Sequence, residues 1–269
     1  MKKIALFLLI FLGMAACKTN PFTGKSTLNF YSDNSSLFPT AFAEYDKFLE
    51  SNEVVKGTPE AAMITRVGQR ISKAAERWLT ANGYPGYLKD YRWEYNLVND
   101  KTMNAWCMPG GKIVFYTGIL PICQGETGVA VVMGHEVAHA LADHGAQRMS
   151  AQTLQSLGMV AGNIAIQDPE DRVLFNAAYG VGSQVGGMLP FSRSHEAEAD
   201  RIGLQIMAIA GYDPAEAPEL WKRMKANSQG SPPEILSTHP SNDSRIASLT
   251  QWVPGAVAEA RKFGVTTFE

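Results

Sequence analysis

The sequence contains the pentapeptide His135-Glu136-Val137-Ala138-His139, whose residue types and spacing suit a metal-dependent hydrolase. Two histidines four residues apart on an α-helix lie one turn above each other, with Cβ atoms roughly 5–6 Å apart. This spacing lets both imidazoles bind one zinc ion. Glu136 is rotated by one residue around the helix axis, so we expect it to face the open zinc position and act as the base for a bound water.

The alternative for this pentapeptide is a core helix whose histidines hydrogen-bond backbone carbonyls. A helix is predicted in either case, because no proline interrupts residues 126–144 and apolar residues recur with helical spacing. His144 followed by Gly145 is predicted to end this helix. His144 falls about half a turn away from the metal-facing side by helical rotation, so we do not expect it to be a ligand.

A second motif, Glu196-Ala197-Glu198-Ala199-Asp200, lies downstream. Catalytic zinc takes three protein ligands, and two histidines with one carboxylate is a common set. Glu196 and Asp200 are four residues apart and therefore share a helical face. We predict that Glu196 is the third zinc ligand and that Asp200 accepts the other ring N–H of a ligand histidine. Without the upstream histidines, the same segment would be an acidic, solvated helix start.

The elements that position these motifs are predicted from apolar periodicity. Helices are expected from Thr58-Pro59 to about Asn82, and as a pair around Asp168-Pro169 within residues 150–188. Residues 86–100 are strand-like and residues 103–109 are predicted to be a loop. The apolar strand Lys112–Tyr116 precedes the His135 helix. It either pairs with an extended substrate backbone beside the metal or is a core strand, and the sequence leaves both open.

Together the two motifs resemble the zinc metallopeptidase family of CAAX prenyl protease 1 and HtpX, whose members carry H-E-x-x-H on one helix and E-x-x-x-D on a later one. The resemblance covers roughly residues 61–249 and extends to further short motifs: Asn104-Ala105, Pro109-Gly110-Gly111, and Thr238-His239-Pro240 with Arg245. It implies an α+β, mostly helical, zincin-like (minigluzincin) domain with a small β-sheet. It also implies endopeptidase activity with one Zn²⁺ per chain.

Within this family the chain looks like the soluble periplasmic branch of lipoprotein and barrel-assembly-enhancing proteases, because no stretch after Met14 is long and apolar enough to span a membrane. The resemblance implies hydrolysis of misfolded or misassembled envelope proteins, with a zinc-activated water and Glu136 as general base. The alternative is an envelope chaperone or assembly factor with a latent or structural metal site. The presence of Glu136 favours the enzyme, since a structural site needs no base.

His239 is predicted as a second catalytic residue, because the resemblance places its loop near the metal. It could donate a hydrogen bond to the oxyanion of the attacked carbonyl. Alternatively, it could take the fourth zinc position and hold the enzyme silent until the loop moves. A surface histidine beside a turn proline is the third alternative.

The N-terminus resembles a bacterial lipoprotein signal: Lys2 and Lys3, an uncharged apolar run over residues 4–14, and small residues before Cys17. The run is short for a membrane span, which needs roughly 20 residues. We therefore predict a signal peptide over 1–16, a polar tether over 17–35 and a zinc metallopeptidase domain over 36–269. A lipid on Cys17 would anchor the protein in the periplasm, and Lys18 in place of aspartate suggests the outer membrane.

The composition limits the partners. Charged residues make up 19% of the chain and the net charge is −2, so a nucleic-acid partner is not expected. Proteins or peptides are the expected substrates, and the sequence leaves the oligomeric state open. Cys107 and Cys123 could pair in an oxidising compartment, but nothing in their spacing requires it, and two buried thiols are favoured.

Overall fold

The structure is a computed structural model that describes residues 17–31, 33–227, 235, 239 and 243–269. The predicted signal peptide over 1–16 lies outside the described residues, as do Gly230, Pro232, Pro233, Thr238 and Pro240 near His239. The described strands are β1 Cys17–Thr19, β2 Ser26–Leu28, β3 Val54–Val55, β4 Glu94–Val98, β5 Ala105–Met108 and β6 Lys112–Tyr116. The α-helices are α1 Asn34–Glu50, α2 Pro59–Ala81, α3 Leu120–Cys123, α4 Glu126–Leu141, α5 His144–Ala165, α6 Pro169–Ser183, α7 Leu189–Ile209, α8 Glu216–Ala226 and α9 Asp243–Lys262.

These elements form two compact units, and the predicted α+β, mostly helical class is confirmed. Among the described residues, the larger unit comprises 34–142, 197–227, 235, 239 and 243–269, and the smaller unit comprises 17–31, 33 and 143–196. The division falls within α7, between Glu196 and Ala197, so one continuous helix carries the whole second motif.

The larger unit contains a four-stranded sheet in the order β3-β4-β6-β5. Strand β6 pairs in parallel with β4 and antiparallel with β5, so both of its edges are hydrogen-bonded and Ile113, Val114 and Phe115 are fully buried. Pairing of Lys112–Tyr116 with a substrate is therefore ruled out, and this strand belongs to the core. The prediction of a loop over 103–109 was wrong, because Ala105–Met108 forms β5 at the edge of the sheet.

Helix α4, which carries His135 and His139, is the central element of the larger unit. Every residue from Gly128 to Leu141 is buried. A helix that is apolar on all sides must be enclosed by other elements, and α2, β5 and α8 pack around it. Helix α2 begins as predicted, with the Thr58 hydroxyl accepting the Ala61 N–H and Pro59 in the first turn.

Two tyrosines from the segment before β4 satisfy the C-terminal carbonyls of α4. The Tyr87 hydroxyl donates to the Leu141 carbonyl at 3.1 Å, and the Tyr91 hydroxyl donates to the Ala140 carbonyl at 3.2 Å. The last four carbonyls of an α-helix lack the usual partner four residues on, so the two hydroxyls complete the last turn of α4. The helix ends at Leu141, earlier than the predicted end at His144.

Helices α4 and α7 cross in direct backbone contact at Gly134 and Gly203. A Cβ atom added to Gly203 would lie 2.8 Å from both the Gly134 carbonyl carbon and the His135 nitrogen. Real Cβ atoms do not approach backbone this closely, so neither position accepts a side chain without movement of a helix. Because both glycines lack a side chain, Gly134, the residue before His135, directly contacts the helix that carries Asp200.

The smaller unit contains the β1–β2 hairpin, α5, α6, a π-helical turn over Gln184–Met188 and the first part of α7. The predicted tether over 17–35 contains this hairpin, which is fixed by a Lys18–Asp143 salt bridge of 2.5 Å and by the Phe30 N–H donating to Ser150 Oγ at 2.9 Å. The predicted helix pair is confirmed, with Asp168 capping α6. None of the described helices combines the length and the apolar character that a membrane span requires.

The Gly134–Gly203 contact makes a stability prediction. Gly203→Ala is expected to lower the free energy of unfolding by about 1–3 kcal/mol, because the added methyl group overpacks the crossing. Gly255→Ala on α9 is the matched control, since a Cβ there meets nothing within 4 Å. It should be neutral or stabilising by up to about 1 kcal/mol, as alanine is the better helix former. Urea unfolding of both variants measures the change in the free energy of unfolding. Equal changes in the two variants would contradict the close contact between Gly134 and Gly203.

Candidate metal centre

Four potential metal donors lie together. The ligand atoms of His135 and His139 on α4, Glu196 on α7, and His239 all lie within 4.8 Å of one another. All four residues are buried, with relative exposures of 4–9%. The structure thus gathers the three residues that the sequence suggested as ligands, and it places His239 among them.

The imidazole nitrogens of the three histidines converge. His135 Nε2 is 3.1 Å from His139 Nε2 and 3.1 Å from His239 Nδ1. In a tetrahedral zinc site with bonds of about 2.0–2.1 Å, ligand nitrogens lie roughly 3.3 Å apart. Imidazoles with one carboxylate are also typical zinc donors. The residues present therefore fit a zinc ion by donor type and by spacing.

Asp200 orients the first histidine. Its Oδ1 lies 2.9 Å from His135 Nδ1, so this ring nitrogen carries the proton and donates it to the carboxylate. The lone pair of His135 Nε2 then points into the cluster, where a metal would bind. This is the contact predicted for Asp200 from its position one helical turn after Glu196.

Arg245 on α9 holds Asp200 in place through two hydrogen bonds of 2.7 Å, from Nε to Oδ2 and from Nη2 to Oδ1. Burial opposes ionisation of Asp200, but the Arg245 charge and the hydrogen bond from His135 outweigh it, and the pKa of the carboxyl lies below its usual value. The guanidinium also lies over the Trp221 ring, 3.4 Å from its centroid.

From the sequence, Arg245 was only part of a family resemblance, and no role was predicted for it. Arg245 contacts Asp200 across 45 residues of sequence, and Trp221 lies on a third helix, α8. No periodicity within a single element could have linked the three residues. The one available signal was an arginine within a buried helical pattern, since buried charge needs a partner.

Glu136 lies beside the four-donor cluster and is buried. Its Oε1 is 3.6 Å from His239 Nε2. The position one residue around α4 from His135 keeps it out of the set of donors, as the helix geometry predicted. Burial, and secondarily the charge of Glu136, raise the pKa of the Cys107 thiol on β5 well above its usual value. Cys107 and Cys123 are both thiols, but of the two predicted buried thiols only Cys123 is fully buried, and Cys107 is half-buried.

His239 is 9% exposed and donates its backbone N–H to the Ile235 carbonyl at 2.7 Å. Its ring contacts His135 through Nδ1 and approaches Glu136 through Nε2. This burial argues against the surface alternative. Both of the other roles proposed for His239 remain compatible with a ring that reaches the metal donors and the predicted base.

Comparison with known proteins matches peptidase family M48 over residues 65–253. The chain is 36% identical over 190 residues to the mitochondrial metalloendopeptidase OMA1 of Schizosaccharomyces pombe, covering 69% of this chain and 53% of that protein. It is 37% identical over 207 residues to OMA1 of Saccharomyces cerevisiae, covering 74% and 57%. It is also 31% identical over 160 residues to the beta-barrel assembly-enhancing protease of Escherichia coli, covering 56% and 32%.

The matched region contains all four donors together with Glu136, Asp200 and Arg245. The chain spans a little more than half the length of the two yeast relatives. The prediction of a zinc metallopeptidase family and of zinc as its cofactor is confirmed.

The donor geometry predicts the metal content. The purified chain should contain about one equivalent of zinc, as expected for a site with three or four protein donors. His135→Ala/His139→Ala should reduce this content to near zero, because two of the converging nitrogens are removed. His144→Ala is the matched control and should keep its zinc. Elemental analysis measures all three proteins, and near-stoichiometric zinc in the double variant would disprove the site.

Proposed function

The chain belongs to peptidase family M48, and from that premise we propose that it is a zinc-dependent endopeptidase that hydrolyses protein substrates. The observation that carries the proposal is the convergence of His135, His139 and Glu196 with Glu136 beside them. Zinc bound by these three ligands would supply Lewis-acid activation of water and of the scissile carbonyl.

Glu136 acts as the general base in this proposal. It takes a proton from the attacking water and passes that proton to the leaving amine when the peptide bond breaks. Burial of Glu136 removes competing solvent, and the His239 ring lies 3.6 Å from its carboxylate. Asp200 and Arg245 take no proton in this scheme. They hold the His135 ring in one tautomer and one orientation.

Strand β5 is the proposed binding edge for the substrate backbone. It is the terminal strand among those described, it packs against α4, and Cys107 on it lies close enough to Glu136 to sense its charge. An edge strand offers N–H and C=O groups with which an extended peptide can pair. Trp106 packs on the other face of the sheet, with ring centroids 4.9 Å from Phe48 and 6.0 Å from Tyr45, and fixes the strand.

Pairing with β5 requires an extended segment of substrate. Folded proteins rarely offer such segments, whereas misfolded or unassembled proteins do. This supports misfolded or misassembled envelope proteins as the substrate class, in line with the similarity to a beta-barrel assembly-enhancing protease. The similarity to two yeast proteins named as mitochondrial metalloendopeptidases supports the same metal-dependent peptide hydrolysis.

His239 is proposed as a fourth ligand that keeps the site silent. Its Nδ1 belongs to the same cluster as the other donors, and its distance of 3.1 Å from His135 Nε2 equals the separation of His135 and His139. In this position it excludes the water that Glu136 would deprotonate. The other role, hydrogen bonding to the oxyanion, requires the ring to turn away from His135.

Localisation to the bacterial envelope is proposed from the lipoprotein-like signal over 1–16 and from Cys17, which is exposed at the start of β1. A lipid on Cys17 would tether the protein in the periplasm, at the outer membrane. The intact mass of the protein extracted from membranes decides this, because an unmodified mature mass would rule out acylation.

Replacement of the base gives the first functional prediction. Glu136→Gln keeps the shape of the side chain but removes its basicity, so peptide hydrolysis should fall by about 10²–10⁴-fold while zinc is retained. Glu219→Gln on the exposed face of α8 is the matched control and should keep full activity. Casein degradation with and without a zinc chelator measures the loss. A chaperone with a structural metal would keep its function in the Glu136→Gln variant.

His239→Ala gives the second functional prediction. Removal of a silencing fourth ligand should raise the rate of peptide hydrolysis above that of the wild type, with zinc still bound by the three remaining donors. A loss of about 10²-fold or more would instead assign the ring to the oxyanion. Unchanged activity with unchanged zinc content would contradict both roles. His144→Ala again serves as control, because it removes an imidazole outside the cluster.

A further inference from the structure

Helices α5 and α6 of the smaller unit form a hairpin with an exposed apolar face. The exposed side chains are 44–71% accessible and include seven valines, leucines and isoleucines on the two helices and two more just beyond them. They are Leu154, Leu157, Val160 and Ile164 on α5, Val173, Leu174 and Val181 on α6, and Val185 and Leu189 after α6. On α5 these residues lie within about a third of the helix circumference.

The contacts between the two helices include amide and hydroxyl pairs as well as aromatic rings against glycines, whereas the aliphatic side chains point outward. Asn163 and Asn176 exchange hydrogen bonds of 2.7 and 3.1 Å, and Gln155 donates to Ser183 at 2.7 Å. Gly162 leaves the space that the Phe175 ring occupies. Small and polar residues between helices with aliphatic residues outside are typical of helices that contact lipid.

Charge is absent from both helices over long stretches. Residues 149–167 and 173–192 contain no Asp, Glu, Lys or Arg, although charged residues make up 19% of the whole chain. A water-exposed helix normally carries charges on its outer side. Charges return only at the tip, between Asp168 and Arg172, and at the base, with Arg148 and Arg193, both exposed.

We propose that this hairpin binds the surface of a lipid bilayer, with its apolar face in the interfacial region. Interfaces with another protein are surrounded by a polar, solvent-accessible rim, whereas the outer face of this hairpin is aliphatic over its length and has no charge along it. Arg148 and Arg193 at the base suit the headgroup region, where long basic side chains extend toward water.

The rest of the smaller unit supports lipid as the occupant. Cys17, the proposed acylation site, starts β1 and lies next to Lys18, whose salt bridge to Asp143 ties this strand to the base of α5. Phe30 and Tyr31 are exposed and attached to the same helix, Tyr31 through a 3.1 Å hydrogen bond to Thr153. Aromatic side chains of this kind concentrate at membrane–water interfaces.

The charges also fix the orientation. The hairpin extends about 33 Å from its base, given the 22 residues of α5. Its tip carries Asp168, Glu170, Asp171 and Arg172, which resist entry into hydrocarbon. The hairpin therefore lies along the membrane surface. Because the binding face is uncharged, binding should need neither anionic lipid nor low salt.

Photo-crosslinking of the full chain tests the proposal at single residues. A benzophenone amino acid placed at Leu157, Ile164 or Leu174 should form adducts with lipid in phosphatidylcholine vesicles. The same probe at exposed Gln69 or Thr80 on α2, in the larger unit, should not. The adducts should persist in a Cys17→Ser background, which separates the hairpin from the proposed lipid anchor. Absence of lipid adducts at the hairpin, or adducts to protein in their place, would overturn the proposal.

Flotation with the same vesicles gives a second measurement. Leu157→Glu/Ile164→Glu should lower the bound fraction about tenfold relative to Gln69→Glu/Thr80→Glu, which adds the same charge elsewhere. Zinc content confirms that both variants are folded. Binding should be unchanged in high salt. Loss of binding in high salt, a requirement for anionic lipid, or equal flotation of the two variants would overturn the proposal.

Discussion

The close crossing of α4 and α7 at Gly134 and Gly203 is the constraint on which the metal centre depends. His135 follows Gly134 directly on α4, and Asp200 lies three residues before Gly203 on α7. Because the two backbones touch at these glycines, the Asp200 carboxylate lies within 2.9 Å of the His135 ring. Glu196 lies one turn before Asp200 on the same helix. Arg245 then neutralises Asp200, and Trp221 covers Arg245. Trp221 thus holds Arg245, Arg245 holds Asp200, and Asp200 holds the His135 ring, so this donor is oriented before a metal binds.

The parts of this centre that follow helical periodicity could be predicted from the sequence. The four-residue spacings of His135 with His139 and of Glu196 with Asp200 define two faces, and the structure brings those faces together. The parts set by tertiary contact could not be predicted. Strand β5 has only four residues and is followed directly by Pro109 and Gly110, so the local sequence favoured a loop, whereas pairing with β6 makes it a strand. The early end of α4 also depends on tertiary contacts, the hydroxyls of Tyr87 and Tyr91.

The two units use apolar residues in opposite ways. Helix α4 is apolar on every side and is enclosed on every side, so its side chains form the core of the larger unit. The α5–α6 hairpin places aliphatic residues outside and amides between its helices. Composition cannot distinguish the two arrangements, because the same residues satisfy either one until the direction of each side chain is known.

The protonation state of the Cys107 thiol, on the proposed substrate-binding strand, affects how readily this sulfur reacts with oxidants. A thiolate is the reactive form of cysteine toward peroxides, disulfides and metals, and burial with the neighbouring Glu136 charge keeps this sulfur protonated. Cys123 is fully buried, and this burial raises its pKa to about 12. Neither sulfur competes with the imidazoles for zinc, and neither is poised for exchange with other thiols. The proposed hydrolysis therefore uses no cysteine thiolate, so the two thiols exclude neither an oxidising nor a reducing compartment for this chain.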